Sequence, residues 1–209
     1  ELLRQRATNR VAEDNAKKSA TAAGIDSRLR EAFRFLSELT VELNAAHPSS
    51  ERPYTLMLLG TVPGAVLSDG FTDSRTRSLD GKVVFDHVTF KYKARSPRPM
   101  TVEIIPRELP RVRERLNALR IAHQCAEEKS PSGQVVRATL TMSGPFPCQA
   151  VLRGDYDGGV FLIELENVRR QGAALIRLGA GELTDDVLDD FSTYALGLDD
   201  KFERLLKRG

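Results

Sequence analysis

The sequence predicts an α+β fold: a largely antiparallel β-meander with helices packed on one face, preceded by a long N-terminal helical arm. Three observations carry this. Between Ile121 and Leu178, apolar residues recur at every second position, in runs separated by short segments rich in Gly, Ser, Asp and Asn. That is the pattern of strands with one wet and one buried face. Residues 107–120 and 184–205 instead repeat their apolar residues at three-four spacing, as amphipathic helices do. Residues 1–47 contain no proline and one glycine, Gly24.

Taken in order, residues 1–23 are good helix formers with only Leu2, Leu3 and Val11 as large apolar residues. Such a helix has little to bury and needs a partner to become ordered. Gly24-Ile25-Asp26 is expected to break it, with Asp26 capping a second helix. Leu29, Phe33, Leu36, Leu39 and Leu43 then form one stripe. His47-Pro48-Ser49-Ser50 ends the arm, so residues 1–47 are set apart from an α+β domain over 53–209. The exposed stripe predicts a homodimer through residues 25–45, as a coiled coil, with docking of the stripe on its own domain as the rival.

Residues 54–59 and 83–93 read as strands, and 60–82 as loop with one or two short strands, around Ala65–Leu67 and Phe71–Arg77. Residues 94–99 form a basic turn before a strand at 101–105. Pro106 and Pro110 introduce the helix of 107–120, with Leu109, Val112, Leu116 and Leu119 on one face and Arg107, Arg111 and Arg115 on the other. Four alternating strands follow. Val136, Ala138, Leu140 and Met142 share a phase, as do Phe146, Cys148, Ala150 and Leu152, then Phe161, Ile163 and Leu165, then Ala174, Ile176 and Leu178. A turn on Asp157-Gly158 sets Leu152 opposite Ile163 and Ala150 opposite Leu165. The implied wet rows are Arg137–Val151–Glu164 and Thr139–Gln149–Glu166. Thr184 caps the last helix, and Gly197 bends or breaks it, with Asp199 recapping.

The composition agrees with a folded chain. Of 209 residues, 41% are hydrophobic, and 31 basic against 29 acidic residues leave a net charge of +2. That is enough apolar material for a core without a disulfide or metal staple. No run approaches the ~18 apolar residues of a membrane span. Cys125 and Cys148 both fall on apolar phases, so both are expected to be free and buried. The chain starts at Glu1 rather than Met, which reads as a fragment or processed form. The expected location is the cytoplasm.

No metal, cofactor or catalytic motif stands out. His123 and Cys125 share a strand face but lack further ligands, and Asp86 and His87, being adjacent on a strand, should point to opposite faces. The basic segment 91–120 is the clearest candidate. Lys93, Arg95 and Arg98, with Arg107, Arg111 and Arg115, could meet phosphates through charge and guanidinium forks. The segment 68–80, with Asp69, Asp73, Arg75 and Arg77, is the second, as a long polar loop. The expectation is a non-catalytic binding or regulatory module, self-associating through its N-terminal helices. The alternatives are a nucleic-acid or polyanion binder through 91–120, or an enzyme with a site around 68–80.

Overall fold

The computed structural model describes residues 16–56, 60–118, 120–142 and 144–207 in full, and of residues 2–15 the helical backbone alone. The side chains of Leu2, Leu3 and Val11, and all of Leu119, lie outside the described residues. The fold is α+β, with an N-terminal helix on antiparallel sheets. In order, the elements are α1 (Leu2–Ala46), β1 (Tyr54–Leu56), β2 (Gly60–Val62), β3 (Val66–Leu79), β4 (Lys82–Arg95) and β5 (Met100–Ile104). A 3₁₀ turn (Pro106–Glu108) then leads into α2 (Leu109–Ala118), followed by β6 (His123–Lys129), β7 (Val135–Met142), β8 (Phe146–Asp155), β9 (Val160–Glu166) and β10 (Ala173–Gly179). Helices α3 (Asp185–Ala195) and α4 (Glu203–Leu206) close the chain. No helix among the described residues is long and apolar enough to cross a membrane.

Helix α1 runs unbroken through Gly24, where two helices were expected. One interior glycine costs only about 1 kcal/mol relative to alanine. The buried residues that follow it, Ile25 and Leu29, outweigh that. Asp26 is therefore not a cap. Its carboxylate accepts from Phe85 N at 2.7 Å and from Arg30 Nε at 2.9 Å, pinning β4 to the helix. Ile25, Leu29, Ala32, Leu36, Leu39 and Leu43 are all buried in the core of this same chain. The stripe behind the dimer expected through 25–45 is thus used internally.

The main sheet has the order β10-β9-β8-β4-β3. Leu152 pairs with Ile163 and Ala150 with Leu165, in the register expected from the Asp157-Gly158 turn. The expected four-strand meander is corrected at its first member. Strand β7 belongs to a second sheet, β5-β7-β6, and β8 pairs with β4 instead. The wet rows are consequently Thr89–Val151–Glu164 and Lys91–Gln149–Glu166, without Arg137 or Thr139.

The segment 68–80 is not a loop. It forms most of β3, paired along β4 through a tight turn at Asp80-Gly81. Both turn residues have positive φ, 49° and 76°, as a hairpin turn of the primed type requires. The short strands expected around Ala65–Leu67 and Phe71–Arg77 are parts of this one strand; polar composition hid its length, since Ser, Asp and Arg are weak strand formers that pairing along β4 holds in place.

The helices α1 and α3 cover one face of the main sheet. That face carries Phe90, Tyr92, Cys148, Ala150, Ile163 and Ile176, all buried. Gly154 admits the close approach of α1, because a Cβ there would lie 2.7 Å from Ile25 Cγ2. Thr184 Oγ1 accepts from Val187 N, capping α3 as expected, and Gly197 ends it at φ 72°. Helix α2 buries Leu109, Val112 and Leu116 and is tied to the second sheet by Arg113–Glu127 at 3.0 Å. Ala138, Leu140 and Met142 are buried as predicted, whereas Val136 in the same phase is exposed. Both cysteines are free. Cys148 is buried, but Cys125, on β6 at the edge of its sheet, is only half-buried, because no strand covers its outer side.

The connection after β9 is more than a turn. Asn167, Arg169 and Gln171 are buried, with Asn167 and Arg169 at positive φ. Arg169 donates to Asp200 Oδ1 at 3.1 Å and to the Tyr194 carbonyl at 3.3 Å, and lies over the Tyr194 ring at 5.3 Å. A buried guanidinium needs such partners to offset its desolvation.

Candidate functional site

With α1 and α3 on one face, the other face of the main sheet is left open. Strand alternation and register place its side chains in rows. One row runs Phe71–Lys91–Gln149–Glu166–Ala173, the next Asp73–Thr89–Val151–Glu164–Leu175, and the third Arg75–His87–Arg153–Leu162–Arg177. A hollow of about 630 Å³ lies over the first row, bounded by Phe71, Lys91, Lys93, Gln149 and Glu166, with Arg120, just after α2, also on its lining. A second hollow of about 480 Å³ continues to Leu162, Glu164 and Leu175. The two share Gln149 and Glu166, so they form one trough across the sheet.

Charge within the trough is only partly matched. Lys93 Nζ lies 2.9 Å from Asp69 Oδ2. The hydrogen bond from Lys93 holds the Asp69 carboxyl below its usual range. Asp69 reaches that position from a left-handed backbone, φ 54°, at a bulge in β3. Among the described residues Lys91, Arg120 and Glu166 make no ion pair. Cys148 borders the hollow from the core side, but burial pushes its thiol far up. It stays protonated and is no nucleophile.

The structure scatters the rest of the basic candidate set. Arg107 is exposed in the 3₁₀ turn before α2 rather than on the helix expected over 107–120, Arg111 is exposed on α2, and Arg115 is half-buried and engaged within the chain. Arg95 is exposed opposite Val66 at the end of β4, and Arg98 is exposed in the following turn. Only Lys93 and Asp69, from the two candidate groups, meet in the trough. Lys91 and Arg120 were missed there. Lys91 was accessible to sequence reasoning, since it lies two residues from Lys93 and so shares its face. Arg120 was not, because only tertiary packing brings the segment after α2 to the hollow.

The other members of 68–80 are held by neighbours. Asp73 and Arg75 pair at 3.5 Å, and Arg77 lies 3.7 Å from Asp86 and over the Tyr156 ring at 5.0 Å. Asp86 itself departs from the expected geometry. Its Oδ2 and His87 Nδ1 are 2.6 Å apart, although adjacent strand residues should diverge. The cause is a bulge in β4. Arg75 pairs with His87 and Thr76 with Phe85, leaving Asp86 unpaired and turned toward its neighbour.

Asp86 also accepts from Arg153 Nη1 at 2.8 Å. Burial works to raise its carboxyl pKa, but the bond from His87 and the charges of Arg153 and Arg77 outweigh it and hold it below the usual range. A depressed carboxyl contributes stability that is present above its unfolded pKa of about 3.9 and is lost as pH falls through the lower folded value. Asp86→Asn should therefore be less stable than the native protein at pH 7 and approach it below about pH 4. Urea titrations across pH check this; a constant gap between the two proteins would refute it.

A larger hollow, about 840 Å³, lies between α1 and the tips of two hairpins, lined by Lys18, Asp26, Arg30, Lys82 and Asp157 among others. Its two central charges, Asp26 and Arg30, are already bonded to one another and Asp26 to β4. It offers a ligand less than the trough does. Comparisons with protein-family models, with curated proteins and with solved structures returned no match.

Proposed function

We propose that the chain is a non-catalytic binding module that takes a ligand carrying an anionic group in the trough on the open sheet face. The observation that supports this most is the pair of unmatched cations, Lys91 and Arg120, set with Lys93 around a hollow of about 630 Å³. That volume lies within the ~300–1,000 Å³ of small-molecule sites. Cations left unpaired on a built concavity are what an anionic ligand would complete. The enzyme reading around 68–80 has less support, since that segment is a paired strand with its charges engaged. Self-association through 25–45 likewise lacks an apolar stripe to use.

Polyanion binding is the second reading, favoured by the exposure of Arg95, Arg98, Arg107 and Arg111. One experiment separates the two. Thermal shifts with a panel of phosphorylated and carboxylated metabolites, and anisotropy of a labelled single-stranded oligonucleotide, are measured at about 50 and 200 mM salt. Lys91→Glu with Arg120→Glu should abolish binding in either case. Arg107→Ala with Arg111→Ala should weaken the oligonucleotide alone and flatten its salt slope by about 0.7 for each phosphate that is no longer neutralised. Binding indifferent to Lys91 and Arg120 would remove the trough from consideration.

A further inference from the structure

The strands at sheet edges are guarded unequally. In the main sheet, β3 is bulged between Ser68 and Phe71, and Arg75 and Arg77 are exposed along it. Its start is held by the preceding segment, with Leu67 N donating to Pro48 O at 2.9 Å and Ser50 N to Ala65 O at 2.9 Å. In the second sheet, β5 has five residues, and β6 carries Glu127, Glu128 and Lys129 and ends in a bulge. Short length, charge, bulges and cover are the usual ways of keeping an edge from pairing with another chain.

Strand β10 has no bulge and a single charge, with helix α4 packed beside it. Its seven residues pair with β9 in unbroken register, from Ala173↔Glu166 to Gly179↔Val160, and contain no proline. Among the described residues, its backbone is bonded from outside the sheet only at its last residue, Gly179, by Glu182. Leu175, near its middle, is 57% exposed on the open face. Arg177 is its one charge, exposed and without an ion pair among the described residues.

We propose that β10 pairs antiparallel with β10 of a second copy, about a two-fold axis through Leu175, joining two five-stranded sheets into one of ten. In this register Leu175 meets its own counterpart on the open face, which removes the exposed leucine from water. Arg177 falls opposite the second copy's residue 173, an alanine. Directly behind Ala173 on β9 stands Glu166, exposed and also without an ion pair among the described residues. Adjacent strands lie about 4.8 Å apart, and alanine is short, so an arginine can reach across it to that carboxylate. The two-fold axis makes this match twice, each time drawing Arg177 away from the Gly158 turn beside which its guanidinium lies.

A register centred on Ile176 is poorer. It sets Arg177 across Leu175, a bulkier bar, from Glu164, which already has Arg153 at 3.8 Å. Like charges oppose each other in neither case, so nothing on the edge forbids self-pairing. The interface is one strand wide, at the low end of specific interfaces, so the dimer forms reversibly with concentration. The interface borders the trough, whose second hollow Ala173, Leu175 and Glu166 also line.

The test is sedimentation velocity on the full chain over a wide concentration series. The native protein should move from monomer to dimer. Leu175→Lys and Arg177→Glu each should weaken association by roughly tenfold or more, the first by opposing two charges on the axis, the second by facing Glu166 with a like charge. Both residues are exposed, so circular dichroism melts should match the native protein. Arg177→Glu combined with Glu166→Arg should recover the dimer. A native chain that stays monomeric throughout, or a dimer indifferent to Leu175→Lys, overturns the proposal. Failure of the double exchange to recover association overturns this register.

Discussion

Ile163→Asp should abolish cooperative unfolding, whereas Glu164→Gln, one residue along, should leave the melting temperature within about two degrees. Ile163 is 2% exposed, between Leu152 on β8 and Ile176 on β10, on the face that α1 and α3 cover. An unpaired carboxylate there costs several kcal/mol, comparable with a total stability of about 5–15 kcal/mol. Glu164 is on the open side, and its approach to Arg153 at 3.8 Å is a surface pair worth at most about 1 kcal/mol. Leu140→Asp and Thr139→Asp make the same comparison in the second sheet, where Leu140 is fully buried. Similar melting curves within either comparison would show that the faces are reversed.

The second large effect concerns α1. Leu29→Ala and Leu36→Ala should each lower stability by about 2–5 kcal/mol, because both side chains are fully buried and leave a cavity. A chain beginning at Ser50 should fail to fold cooperatively, since the main sheet would then expose the face that Ile25, Leu29, Leu36 and Leu43 cover. Urea unfolding followed by circular dichroism reads both. A chain from Ser50 with a native-like cooperative transition would show the helix to be a separable arm and refute this.

Where side-chain period alone decides structure, the sequence was legible. The alternation of residues 146–178 and the Asp157-Gly158 turn yield the β8–β9 register, because a one-residue slip would move every apolar residue to the wet face. Thr184 and Gly197 likewise act through local backbone chemistry. The failures share another cause. Asp80-Gly81 is a hairpin turn, but the polar strand before it offers no alternation to find. The exchange of β7 for β4 beside β8 is a choice between distant partners that no local pattern records. The bulge that joins Asp86 to His87 depends on the pairing partner rather than on either residue. The trough was half visible. Lys91 and Lys93 share a strand phase, while Arg120 comes to them only through tertiary packing.

The pairing of β4 with β8 has a kinetic consequence. Ala94 and Phe146 are partners at the end of that ladder, yet about fifty residues, including the whole second sheet and α2, separate them. The β3–β4 hairpin and the β8–β9–β10 meander are each built from near neighbours in the chain and can zip within microseconds to milliseconds. The seam between them must wait until a loop of that length is closed, at an entropic cost that grows as about (3/2)RT ln n. If residues 100–142 have collapsed first, the loop is effectively shorter and its ends are already near each other. Helix α1, which touches β3, β4 and β8, lies across the seam. Its docking then latches the two locally built pieces together.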